Sequence, residues 1–212
     1  MWSKPTMGYG LKWNPDPPIT VPQLVAIALA TGVYTILSWL GVIALPVGIA
    51  SVSALFIAIG FGIPFAIWFG GWGLVIGYIG SFIGAGILAG TPVLLALPFA
   101  LVDWIQFGIP LVAYRLLAPR FGLHPLGRDV YTLKAFLFFV VFAVIIPNGL
   151  GALYGIWILF IGGLVPPEAF GPAVIAWWIG NMVVTVIMAP ILLHVLTPVI
   201  ERYGLATHGV IT

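Results

Sequence analysis

Asp103 lies in "LALPFALVDWIQFGIPLVAY", with Trp104 beside it and Gln106 one helical turn on. Asn148 follows Pro147 inside "FVVFAVIIPNGLGALYGIWILF", with Tyr154 and Trp157 further along. "WWIGNMVVTVIMAP" carries Trp177, Trp178, Asn181 and Thr185. An acid, carboxamides and aromatic rings scattered through apolar sequence suit recognition: a mostly apolar pocket with a few orienting polar groups. The expected substrate site is Asp103, Gln106, Asn148, Tyr154, Trp157, Trp177 and Asn181, a set that fits a flat heteroaromatic nutrient. Catalysis is not expected. His124, His194 and His208 have no carboxylate or second histidine at ligand spacing, which makes them surface or interfacial residues and argues against a metal site. The chain has no cysteine and no G-x-x-x-x-G-K-[ST] phosphate loop, so neither a thiolate metal site nor an ATP site is expected. No cofactor and no nucleic-acid partner is implied.

Each of these residues also has a plainer reading. A carboxylate at bilayer depth costs about 2.5–3.5 kcal/mol on insertion scales and must face a partner or water. Asp103 is therefore either a ligand-recognising acid or a structural one, bonded to Asn181 or to backbone freed by Pro98 or Pro110. Trp177 and Trp178 either line the pocket or sit in an interfacial aromatic belt. Proline at mid-depth removes one backbone hydrogen bond and opens a kink, and Asn148 can serve the freed carbonyls or a ligand.

The elements that must position these groups are membrane helices. Of 212 residues, 62% are hydrophobic and 6% charged, and seven basic and five acidic side chains cannot clothe a soluble globule. The 27 glycines and 18 prolines are tolerable in bilayer helices, where neighbours re-satisfy freed backbone groups. Apolar stretches over 22–45, 47–63 (ending at "GIP"), 65–90, 92–117, 133–164 and 171–200 fit spans of a hydrocarbon core about 30 Å thick. Hydropathy leaves three or four spans before residue 117. Charge decides for four: Lys4 and Lys12, then Arg115, Arg120, Arg128 and Lys134 after residue 114, then Arg202 should share the cytoplasmic side, with Glu168 opposite. The expectation is an all-α integral membrane protein, a six-helix bundle with both termini cytoplasmic and multi-pass in the cell membrane. Residues 1–20 form a cytoplasmic N-terminal segment without the apolar core of a cleavable signal, so the mature chain is expected to start near Met1. Residues 21–205 form one membrane domain and 206–212 a tail.

Small residues mark close packing. Gly73, Gly77, Gly80 and Gly84 form one stripe on the third helix. Ala26 and Ala30 are four apart on the first helix, with Ala28 and Gly32 offset by two. Such pairs serve either packing within the bundle or docking of a separate membrane subunit, and Ala26 and Ala30 are the expected docking pair.

The opening helix "VAIALATGVYTIL", the central "FGGWGLVIGYIGSFIGAGI" and the closing "WWIGNMVVTVIMAPILLHVLTPVIERYGL" together resemble the substrate-binding S-components of energy-coupling factor transporters. The resemblance is one of pattern over residues 22–205. It implies capture of a vitamin or similar nutrient near the extracellular face, by a pocket built from the later helices and an outer loop. It also implies a transmembrane coupling subunit and two cytoplasmic ATPases as partners. A nickel or cobalt carrier of that family would need N-terminal histidine ligands, and "MWSKPT" has none. The closing stretch also resembles the MASE1 membrane sensor domains. Those normally precede a cytoplasmic output domain, and about a dozen residues follow the last span here. An accessory subunit of a larger membrane complex, binding no small molecule, is the third reading; it expects Asp103 and Asn148 to pair internally without a cavity.

Overall fold

The computed structural model describes residues 8–13, 18–44 and 53–211. Among them the chain is helical, in six segments: α1 (Val21–Ala44), α2 (Ile59–Phe69), α3 (Gly71–Ile87), α4 (Val93–Phe121), α5 (Leu133–Ile161) and α6 (Pro167–Arg202). Four of these, α1, α4, α5 and α6, are long and apolar enough to cross a membrane. α2 has only 11 residues, and α3 has ten α-helical residues followed by seven in a π-helical turn.

The boundary between the second and third helices differs from the expected one. Pro64 lies inside α2, and the chain breaks instead at Gly70. Glycine permits the break because Gly70 takes φ +60°, outside the helical region, and a Cβ there would meet the carbonyls of Gly209 and Val210. Among the described residues of the expected second span helical structure starts at Ile59; residues 47–52 lie outside them.

The glycine stripe of α3 packs along its whole length, though against three different helices. A side chain at Gly73 would strike Ala66 of α2, at Gly77 Phe107 of α4, and at Gly80 and Gly84 Tyr34 and Thr35 of α1. Ala30 is buried in the same core, and Ala26 is packed partly against it. The Ala26 and Ala30 face is turned toward the bundle, with buried Gln23, Ile27, Tyr34 and Ser38 on the same side of α1. Gly32, by contrast, has open space beside it.

The two ends of the chain meet. Gly10 N–H donates to the His208 carbonyl and Val210 N–H to the Lys12 carbonyl, each at 2.9 Å. The tail is an integral part of the fold rather than an appendage: Thr207 N–H reaches the Trp68 carbonyl (2.9 Å), and Gln23 Nε2 reaches the Ala206 carbonyl (3.0 Å). Arg115 needs a correction too. α4 runs past it to Phe121, so it is no loop charge; it is buried, donating to the Ile67 carbonyl at 3.0 Å with its guanidinium over the Tyr9 ring. A cation there complements the carbonyl end of α2.

The 122–132 loop is fastened to α6 at this same end. Thr197 Oγ1 donates to the Leu126 carbonyl (3.1 Å), and Glu201 pairs with His124 (3.3 Å) and Arg128 (3.6 Å). His124 thus has a carboxylate that sequence spacing hid. Its Nδ1 accepts the Leu126 N–H at 3.2 Å, and burial, partly opposed by Glu201, holds the imidazole below its ordinary value. A base depressed in the folded state takes its proton more readily when unfolded. Its contribution is present at neutral pH and is lost as pH falls below the ordinary histidine value of about 6.5. His124→Gln should flatten the drop in melting temperature between about pH 7 and pH 5; an unchanged slope would show that another group governs it.

Candidate functional site

Two apolar clusters fill the bundle. One, toward the joined termini, contains Ile27, Tyr34, Ile63, Ile76, Phe107, Leu111, Phe139, Val144 and Leu193. The other contains Val42, Ala85, Phe99, Val102, Ala152, Ile156 and Trp177. Between them, on five helices, lies a layer of buried polar side chains: Ser38 on α1, Ser81 on α3, Asp103 and Gln106 on α4, Asn148 on α5, and Asn181 and Thr185 on α6. Each helix changes from one cluster to the other as it passes through this layer.

Asp103 is fully buried at a break in α4. Pro98 cannot donate, and the following turn tightens to i→i+3 bonds, Leu101 N–H to Pro98 (3.2 Å) and Asp103 N–H to Ala100 (3.3 Å). Asp103 therefore sits in the first turn of the second half of α4, and its Oδ2 accepts from the Tyr34 hydroxyl (3.1 Å) and the Ser81 hydroxyl. These partners replace the expected Asn181 or backbone carbonyl. A carboxylate accepts only, so a carbonyl cannot serve it, and the two hydroxyls can. Oδ1 has no partner among the described residues.

Pro147 and Asn148 belong to the same layer. A π-helical turn, Val140–Ile145, widens α5 just ahead of the proline. Side chains reach its carbonyls: Asn148 Nδ2 bonds that of Val144 (2.8 Å), and Trp178 Nε1 bonds that of Ile145 (3.0 Å). Asn148 Oδ1 accepts from Gln106 Nε2 (3.0 Å), and its Nδ2 also reaches Thr185 Oγ1 (3.3 Å). Gly151 makes room for Gln106, and Gly155 for the Trp177 ring.

Asp103, Gln106, Trp177 and Asn181 line one cavity, together with Ser81, Ala85, Phe99 and Val102 from the helices and Ser53 and Phe56 from the non-helical stretch before α2. It leaves ≈ 10 Å³ for the centre of a water-sized sphere, room for about one water. Three unpartnered polar atoms belong to its lining residues: Asp103 Oδ1, Trp177 Nε1 and Asn181 Nδ2. Asn148 stands one hydrogen bond away, through Gln106. Tyr154 lies elsewhere, donating to the Pro98 carbonyl (2.9 Å), and Trp157 is 49% exposed on the outer surface. Tyr34, Ser81, Ser53 and Phe56 were not anticipated. Tyr34 and Ser38, one turn apart on the apolar α1, and Ser81, directly after Gly80, were the available signals for the first two.

Comparison with protein-family models, curated proteins and solved structures finds no match. No group of three or more His, Cys, Asp or Glu residues that could hold a metal ion occurs among the described residues. The lining residues offer one carboxylate acceptor and two N–H donors without partners among the described residues.

Replacing Asn148 by leucine, of similar size, would strip partners from Gln106 and Thr185 inside the layer. The variant should lose roughly 1–3 kcal/mol of stability, read as a lower melting temperature in detergent. Trp157→Leu, on the outer surface, should change it little. Equal effects from the two substitutions would contradict the structural role given to the layer.

Proposed function

We propose that the protein is a membrane-embedded binding subunit of an importer, capturing a small polar nutrient at the Asp103 cavity for ATP-driven uptake by partner subunits. The observation that carries this reading is the set of three unpartnered buried polar atoms on residues that line one cavity. Buried donors and acceptors are nearly always paired, and unpaired ones on a shared cavity point to an absent guest. The lining offers hydrogen bonds and an apolar wall, which suits binding.

The charge pattern supports an orientation. Lys12, Arg120, Arg128, Lys134 and Arg202 gather at one end and Glu168 follows α5 at the other, a bias that under the positive-inside rule supports cytoplasmic termini in a multi-pass cell-membrane protein. On this reading the cavity is turned toward the extracellular half, with Ser53 and Phe56 ahead of α2 in its wall. An S-component would capture its nutrient on that side, and a transmembrane coupling subunit and two cytoplasmic ATPases would supply the energy.

The size of the cavity favours a second reading. Room for about one water suits a single buried water in place of a ligand, as an accessory subunit would hold.

Small molecules released by denaturing the gently purified protein decide between the two. The binding reading expects one polar compound in near-stoichiometric amount, retained at least about tenfold less well by Asn181→Leu, the loss of one buried partner. No compound from the wild-type protein would favour the accessory reading. The orientation has its own test: a membrane-impermeant thiol reagent should label Glu168→Cys in intact cells and spare Gly122→Cys, and equal labelling of both would refute it.

A further inference from the structure

Resting on that binding reading, we infer that the guest is a small organic cation, with an ammonium group against Asp103 and a neighbouring hydrogen-bond acceptor toward Trp177 and Asn181. Asp103 is completely buried and, among the described residues, forms no ion pair. Among the described residues the ion pairs are His124 with Glu201 and Arg128 with Glu201. The buried Arg115 is more than three helical turns away along α4 and is bonded to the Ile67 carbonyl.

The surroundings also fit an ionised carboxylate. Tyr34 and Ser81 both donate to Oδ2, and the unpartnered atoms of Trp177 and Asn181 are N–H donors. An anionic guest would face the carboxylate directly, and a neutral guest would leave its charge uncompensated in a setting where that is costly. A cation that also carries an acceptor answers Oδ1 and the two N–H groups together. The cavity admits more than a water only if its non-helical wall, Ser53 and Phe56, yields. That wall is held by local bonds such as Ser53 Oγ to the Leu55 carbonyl (3.1 Å) rather than by a helical ladder.

Three two-carbon probes isolate the charge: ethanolamine, ethylene glycol and glycolate share a hydroxyl and differ at the other end. Each is titrated against the purified protein in neutral detergent at fixed ionic strength, and saturable rise of the melting temperature is read. Ethanolamine should act at a half-saturating concentration at least about tenfold below that of ethylene glycol, as a charge-assisted hydrogen bond predicts, and glycolate should not act. In Asp103→Asn the ethanolamine advantage should vanish. If that variant does not fold, the wild-type comparison still decides the sign of the charge. Glycol or glycolate acting as well as ethanolamine overturns the cation while leaving a binding site. No response to any probe also overturns it and leaves a buried water; the release experiment then decides separately whether the protein binds anything else.

Discussion

A carboxylate in the middle of an apolar bundle must find its partners inside the protein, and much of this structure follows from that demand. Asp103 takes hydroxyls from two other helices, Tyr34 of α1 and Ser81 of α3, so that three segments are tied at one depth. Gln106, one turn further along α4, continues the layer to Asn148 of α5 and through it to Thr185 of α6. In lipid there is no hydrophobic gain from bringing helices together, so such bonds and close packing must carry association. The layer thus sets the register of the helices, and the apolar clusters fill the space on either side.

Backbone irregularity gathers around the same layer. α4 tightens after Pro98, α5 widens before Pro147, and α3 becomes π-helical at Ser81. In each case the polar residue stands within or directly after the altered turn, where the helix no longer follows a regular 3.6-residue path. Side chains also reach carbonyls of these turns, Tyr154 that of Pro98, Asn148 that of Val144 and Trp178 that of Ile145. Non-helical backbone at membrane depth is tolerable under such cover, and its concentration around the cavity accords with a site that receives a guest.

The opposite end of the bundle solves a different problem. α2 stops at Gly70, leaving carbonyls that the membrane interior could not satisfy. Arg115 covers that of Ile67, Thr207 takes that of Trp68, and Gly10 and Lys12 secure the returning tail. A short helix is thereby finished by parts of the chain far from it in sequence, among them residues 10–12 and 207–210.

The sequence by itself determined the solvent and the building material. Its scarcity of charge demands lipid, its apolar lengths demand helices, and the spacing of Gly73, Gly77, Gly80 and Gly84 demands close neighbours, because these properties depend only on local composition and period. It also singled out Asp103, Gln106, Asn148, Trp177 and Asn181, since a polar group in apolar sequence is conspicuous wherever it points. Which groups answer one another was settled only by the tertiary structure. Tyr34 lies 69 residues from the acid it serves, Glu201 far from His124, and the inward turn of Ala26 and Ala30 depends on where the other helices stand. Spacing along a helix fixes a face but not what that face meets, and the hydrogen bonds that pair these side chains act across distances the sequence does not encode as a pattern.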